Sequence, residues 1–128
     1  MKHGSLRIII FSLFFFLSFA NLHASPIEGK GVNLQILDKI TSEISNIFIK
    51  VNDYYQHETL KIEIHACYKR PPEEVPEDYV LIEVIDMLTV NKEYVYRGWM
   101  ISSSPDITPL EHPIYDLWLV DCKIDKTS

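Results

Sequence analysis

Hydrophobic and polar residues alternate one by one through residues 59–66, with Leu60, Ile62, Ile64 and Ala66 on one side and Lys61, Glu63 and His65 on the other. A period of two marks a half-buried β-strand, and it places the next residue, Cys67, on the polar side. Residues 79–90 are rich in β-branched side chains and read as a long strand, Asn91-Lys92 as a turn, and residues 93–101 as the returning strand. In that return, Tyr94, Tyr96, Gly98 and Met100 share one face and Val95, Arg97, Trp99 and Ile101 the other. Both faces carry large side chains, so neither is left wholly to solvent; core packing is the leading reading of these aromatics and an interface the second. Gly98 marks a bulge or a close approach. The last strand, residues 114–122, sends Tyr115, Leu117 and Leu119 one way and Asp116, Trp118, Val120 and Cys122 the other.

Two proline-bearing stretches break the pattern. Residues 69–78 hold Pro71, Pro72 and Pro76 among acids, which excludes a central strand and reads as an extended, solvated loop kept soluble by charge. Residues 102–113 hold three more prolines in a long connection of the kind that often carries function. Residues 34–51 fit two patterns. Leu37, Ile40, Ile44, Ile47, Phe48 and Val51 make a helical stripe, while residues 47–51 alternate as a strand. The architecture expected is all-β, a small sandwich or partly open barrel of about six strands spanning residues 33–123 as a single domain.

The N-terminus departs from this pattern. Lys2 and Arg7 precede a run of twelve residues, 8–19, interrupted only by two serines, and small residues follow. That is the arrangement of a secretion signal, and the run is shorter than the roughly 20 residues a membrane span needs. Cleavage is expected after Ala20, where Ser18 and Ala20 are both small, or after Ala24. Export would leave a soluble periplasmic domain of about 100 residues, enough for one core. It would also remove two positive charges and no acid, so the net charge of −6 becomes −8. A chain this acidic, with its acids spread out, has no basic face for phosphates, so nucleic acid is excluded as a partner.

Compartment also decides the cysteines. Cys67 and Cys122 are the only two, and outside the cytoplasm an isolated pair reads as one disulfide rather than as two thiols or a redox pair, since no Cys-x-x-Cys is present. It would close a loop of about 56 residues, worth on the order of 4 kcal/mol by the chain-entropy model.

Three stretches in order, Cys67-Tyr-Lys-Arg-Pro-Pro-Glu-Glu74, Gly98-Trp-Met-Ile-Ser-Ser-Ser-Pro105 and Leu110-Glu-His-Pro-Ile-Tyr-Asp-Leu-Trp118, resemble an alphaproteobacterial family of small exported proteins with a domain of unknown function. The likeness begins at Leu34-Gln-Ile-Leu-Asp-Lys-Ile-Thr41. It implies two strands rather than a helix in residues 34–51 and retention of both cysteines. It brings no activity. The chain departs from the family at residues 51–57, where a glycine in a tighter turn is expected.

Candidate chemistry is sparse. Glu111 and His112 with Asp116, Asp121 and His65 have the donor types of a zinc site but no recognised spacing, and neighbours in an extended segment point apart. Ser102, Ser103 and Ser104 with His112 lack the strained nucleophile turn and an oxyanion hole. No catalytic residue, metal ligand or cofactor is therefore assigned. The preferred reading is a non-enzymatic binding or structural accessory module of the envelope, contacting another envelope protein or a cell-wall component. Its surface would comprise Trp99, Ser104, Glu111, His112, Tyr115 and Trp118. The alternative is a metal-assisted hydrolase built on His112 and nearby carboxylates.

Overall fold

The computed structural model describes residues 2–17, 25–104 and 110–124. One helix, α1 (Lys2–Leu17), precedes eight strands: β1 (Ile27–Glu28), β2 (Gly31–Asp38), β3 (Ile44–Lys50), β4 (Tyr54–His57), β5 (Leu60–Lys69), β6 (Asp78–Asp86), β7 (Tyr94–Ile101) and β8 (Tyr115–Lys123). Both cleavage points expected from the sequence lie outside the described residues.

All pairing is antiparallel. The larger sheet runs β1-β5-β6-β7, with β4 sharing the edge of β5 that β1 uses, and the smaller runs β3-β2-β8. The two sheets face each other without closing into a barrel, so of the two architectures expected the structure is the sandwich. Residues 34–51 are the hairpin β2–β3, as the family likeness implied. Between these strands the Asp38 carboxylate accepts the backbone N–H groups of Ile40 and Thr41 at 2.8 and 3.1 Å. These bonds hold its pKa below the ordinary value. Where the sequence reading wanted a glycine, Asn52 takes φ 65°, a left-handed conformation that asparagine tolerates, and the turn leads into the short β4.

The core is the inner faces of both sheets: Val32, Leu34, Ile36 and Ile49 meet Leu60, Ile62, Ile64, Val80, Ile82, Val84 and Met100, with Tyr115, Leu117 and Leu119 from β8. Each such aliphatic side chain contributes about 1.5–3 kcal/mol by leaving water. The described apolar side chains of α1 take no part, since Ile8, Phe11 and Phe14 are all more than 70% exposed.

Three expectations about the strands need correction. β5 alternates as read up to Ile64, but its pairing with β6 slips by one residue between Ile64 and Ala66. This bulge turns Ala66 half out and Cys67 fully in. β8 slips likewise against β2, where Asn33 pairs with Asp121 but Leu34 with Leu119; Val120 is left exposed and Cys122 turns in. A bulge inserts one residue and so reverses the inside-outside parity beyond it. Third, the strand read through residue 90 stops at Asp86. Residues 87–93 form a turn in which Leu88 and Val90 are exposed and Lys92 takes φ 48°. The bulge in this hairpin sits at Val95, between the pairs Val84↔Tyr96 and Ile85↔Tyr94, and moves Tyr94 from the face of Tyr96, where alternation put it, to that of Arg97 and Trp99. Nothing closely approaches Gly98, whose φ of +148° is itself the reason for glycine.

With both cysteines inside, Cys67 of the larger sheet bonds Cys122 of the smaller, their Cα atoms 5.8 Å apart. The chain crosses between sheets directly over this bond. Gly29 N–H donates to the Cys67 carbonyl at 2.9 Å and Lys30 N–H to the Lys123 carbonyl at 2.8 Å. A Cβ on Gly29 would lie 2.0 Å from Cys122 Sγ and 2.4 Å from Cys67 Sγ. Neither sulfur can retreat, because each is tied to the other and to its strand.

Gly29→Ala is therefore expected to destabilise the domain by about 1–3 kcal/mol, the range of a forced overpacking, or to leave free thiols. Urea unfolding and thiol titration read both outcomes. When both cysteines are alanine the same change should cost far less, because the colliding atoms are gone.

Candidate functional site

The six residues expected to form one surface are divided by the fold. Trp99 is 46% exposed on the outer face of the larger sheet. Trp118, half-buried and paired with Gln35, lies on the outer face of the smaller sheet, the opposite side of the sandwich. Tyr115 is core, Glu111 is exposed, Ser104 is half-buried and His112 is buried. Residues 105–109 of the connection lie outside the described residues.

His112 is held by structure rather than offered to a substrate. Its Nδ1 accepts the backbone N–H groups of Ile114 and Tyr115 at 3.1 and 3.2 Å. An accepting Nδ1 places the proton on Nε2, which donates to the Asp86 carboxylate at 3.1 Å. The ring thus has no lone pair free for a metal or for a nucleophile's proton. Asp116 pairs instead with Lys39 at 3.2 Å, and Lys39 also donates to the His112 carbonyl. Asp121 accepts from Asn33 at 2.6 Å and pairs with Lys123. The side chains of His112, Asp116 and Asp121 are therefore committed to separate partners, and Glu111 is exposed.

The serines are committed too. Glu77, buried, accepts from the Ser102 hydroxyl and the Ser103 N–H, both at 2.9 Å, and from the Ser103 hydroxyl. Burial pushes its pKa up, but the hydrogen bonds from Ser103 and Ser102 outweigh that and leave it lowered. Next to it, the Asp78 carboxylate accepts the Cys122 N–H at 2.8 Å and binds Lys69 at 2.9 Å. These contacts pin the ends of the proline loop; its residues 72–76 are exposed, as expected, but a turn closed by the Glu74 N–H on the Pro71 carbonyl keeps it from being extended. Pro71 is buried, Arg70 N–H donates to the Glu77 carbonyl, and Arg70 Nε donates to the Tyr79 hydroxyl. The folded loop and β1 enclose a cleft of about 490 Å³ lined by Ile27, Lys69, Pro71, Pro76 and Ile124 among others.

The outer face of the larger sheet gathers what the sequence scattered. Strand register sets Leu81 beside Trp99 and Ala66, Glu83 beside Arg97 and Glu63, and Tyr79 beside Tyr68. Trp99 and Tyr68 rings lie 6.0 Å apart, and the Arg97 guanidinium lies 4.9 Å from the ring of Tyr94. Arg97 Nε also binds Glu83 Oε1 at 3.0 Å. Within this face the donor atoms of Glu63, His65 and Glu83 all lie within 4.8 Å of one another. The alternation of β5 had already put Glu63 and His65 on one side; Glu83 joins them only through the β5–β6 register.

Residues 32–122 match the family described as "Uncharacterized protein conserved in bacteria (DUF2155)". An uncharacterised protein of Rickettsia prowazekii (strain Madrid E) is 30% identical over 87 residues, covering 67% of this chain and 56% of the relative. The chain thus spans little more than half the length of that relative. No solved structure matches.

His112→Ala should cost about 2–3 kcal/mol in urea unfolding, since it strands two backbone donors that are buried or nearly so. Acid should act on the same contacts. The Leu88 N–H and then His112 hold the Asp86 carboxyl below its ordinary pKa, and Glu77 is lowered as above. A depressed folded-state pKa contributes stability above the unfolded value and loses it as pH falls through the folded one. Stability should therefore drop below about pH 4, and Asp86→Asn with Glu77→Gln should flatten that acid limb.

Proposed function

The chain belongs to the DUF2155 family of uncharacterised proteins conserved in bacteria, and from its structure we propose that it is an exported periplasmic module that acts by binding, through the outer face of its larger sheet. The observation that carries this reading is the exposed group Tyr94, Arg97 and Trp99, with Tyr68 beside it. Tryptophan, tyrosine and arginine are the side chains in which interfaces concentrate their binding energy. Here they stand on a sheet whose other face is fully packed, so the surface is rigid and loses little entropy on contact.

Export is supported from two directions. The disulfide suits an oxidising compartment. Residues 4–15 of helix α1, mostly apolar, are all exposed, as suits a segment that serves targeting rather than the fold. No helix among the described residues is long and apolar enough to cross a membrane. The partner expected is another envelope protein or a cell-wall component. The committed ring of His112 and the committed serines weigh against the hydrolase alternative.

A photo-crosslinking residue at position 99 should give a reproducible adduct in cells, while one at Phe48, on the opposite sheet, should not. Equal labelling from both positions, or none from position 99, contradicts the binding face. Fusion of residues 1–24 to alkaline phosphatase should give an enzyme active outside the cytoplasm; an inactive fusion contradicts export.

A further inference from the structure

We propose that Glu63, His65 and Glu83 form a binding site for a divalent transition-metal ion of the zinc class, on the outer face of the larger sheet beside the partner surface argued above but not resting on that reading. The donors are one imidazole nitrogen and two carboxylate oxygens, a set suited to zinc that leaves coordination positions open. Around a tetrahedral zinc such atoms stand about 3.4 Å apart. Here they lie within 4.8 Å, a gap that small rotations of two glutamate side chains close.

Three further features mark the cluster as built for a cation. Glu63 and Glu83 are directly opposed across the β5–β6 ladder, where like charges repel and destabilise the pair. Glu83 is only 17% exposed, so water screens that repulsion poorly. His65 sits at the β5 bulge, a device that re-aims a side chain. It directs Nε2 into the carboxylates. This atom is shut off from solvent and makes no hydrogen bond, although it lies 3.3 Å from Glu83 Oε2. The close approach is thus an electrostatic contact without hydrogen-bond geometry, and a bound ion would satisfy both atoms.

Arg97 does not fill this role. It binds Oε1 of Glu83, leaving Oε2 turned toward His65 and fixing the carboxylate's orientation, as partners behind a metal ligand do. An open depression bordered by His65, Leu81, Glu83, Arg97 and Gly98 adjoins the cluster, and Gly98 presents no side chain to it. An exchangeable ligand therefore has room to reach the ion.

The test is calorimetric titration of the disulfide-intact, tag-free chain with Zn²⁺, repeated with Co²⁺ and read by visible absorption. One equivalent should bind. His65→Gln and Glu83→Gln should each weaken binding at least tenfold, with Glu43→Gln, in the distant β2–β3 turn, unchanged. Near-UV circular dichroism establishes that each variant is folded. Without any variant, Zn²⁺ should shift the His65 ring resonances and leave those of His112 in place. Absence of stoichiometric binding to the natural chain overturns the proposal, as does binding that survives loss of both His65 and Glu83, or a zinc shift at another histidine.

Discussion

One covalent bond joins the two sheets, and it can close only if both of its sulfurs point between them. Cys67 and Cys122 stand on different strands of different sheets, and each comes inward through a bulge two residues before it. The crossing chain then has to pass the sulfurs with no side chain, which is why Gly29 sits there. Sheet pairing, loop position and the identity of that residue all follow from the same bond. It also accounts for the neighbouring polar groups. Asp78 takes the Cys122 N–H, left unpaired at the edge of β8, and so ties β6 to β8 beside the disulfide.

The buried polar residues Glu77, Asp78 and His112 share one logic. Each accepts backbone N–H groups from a loop or strand end that would otherwise be buried without a partner. Desolvating a carboxylate or an imidazole costs free energy, and several convergent donors offset that cost. A His with nearby Asp, or a Ser pair with a buried Glu, resembles catalytic equipment in a sequence. In this molecule the same residues attach the connections after β6 and β7 to the sandwich.

That distinction sets what could be read in advance. The clean alternation of Leu60, Ile62 and Ile64 and of Tyr115, Leu117 and Leu119 gave the β class and most of the core, because burial of one face imposes period two. The disulfide was legible from the expected compartment and the number of cysteines. The phase of both cysteines was not, since a bulge leaves no signature in residue type when the inserted residue is His65 or Val120. The end of β6 was misplaced because Leu88 and Val90 favour strands, while the turn is set by Asp86 accepting the Leu88 N–H and by Thr89. Trp99 and Trp118 seemed to flank one loop. Their separation onto opposite faces depends on which sheet each strand joins, which local pattern does not encode. Likewise Glu83 reaches Glu63 and His65 only through strand register.

The outer face of the larger sheet is where exposed aromatic and arginine side chains gather. Arg97, Trp99 and Tyr94 are substantially exposed there, whereas the disulfide end is fully occupied in holding the sheets together. The two claims on which the rest depends are the disulfide-stapled sandwich and its proposed export. The most direct measurement is the intact mass of the protein recovered from its own cells under thiol-trapping conditions. The account predicts a chain beginning after Ala20 or Ala24, lacking two hydrogens relative to the dithiol and carrying no trapping label. A full-length chain carrying label on both Cys67 and Cys122 would contradict it.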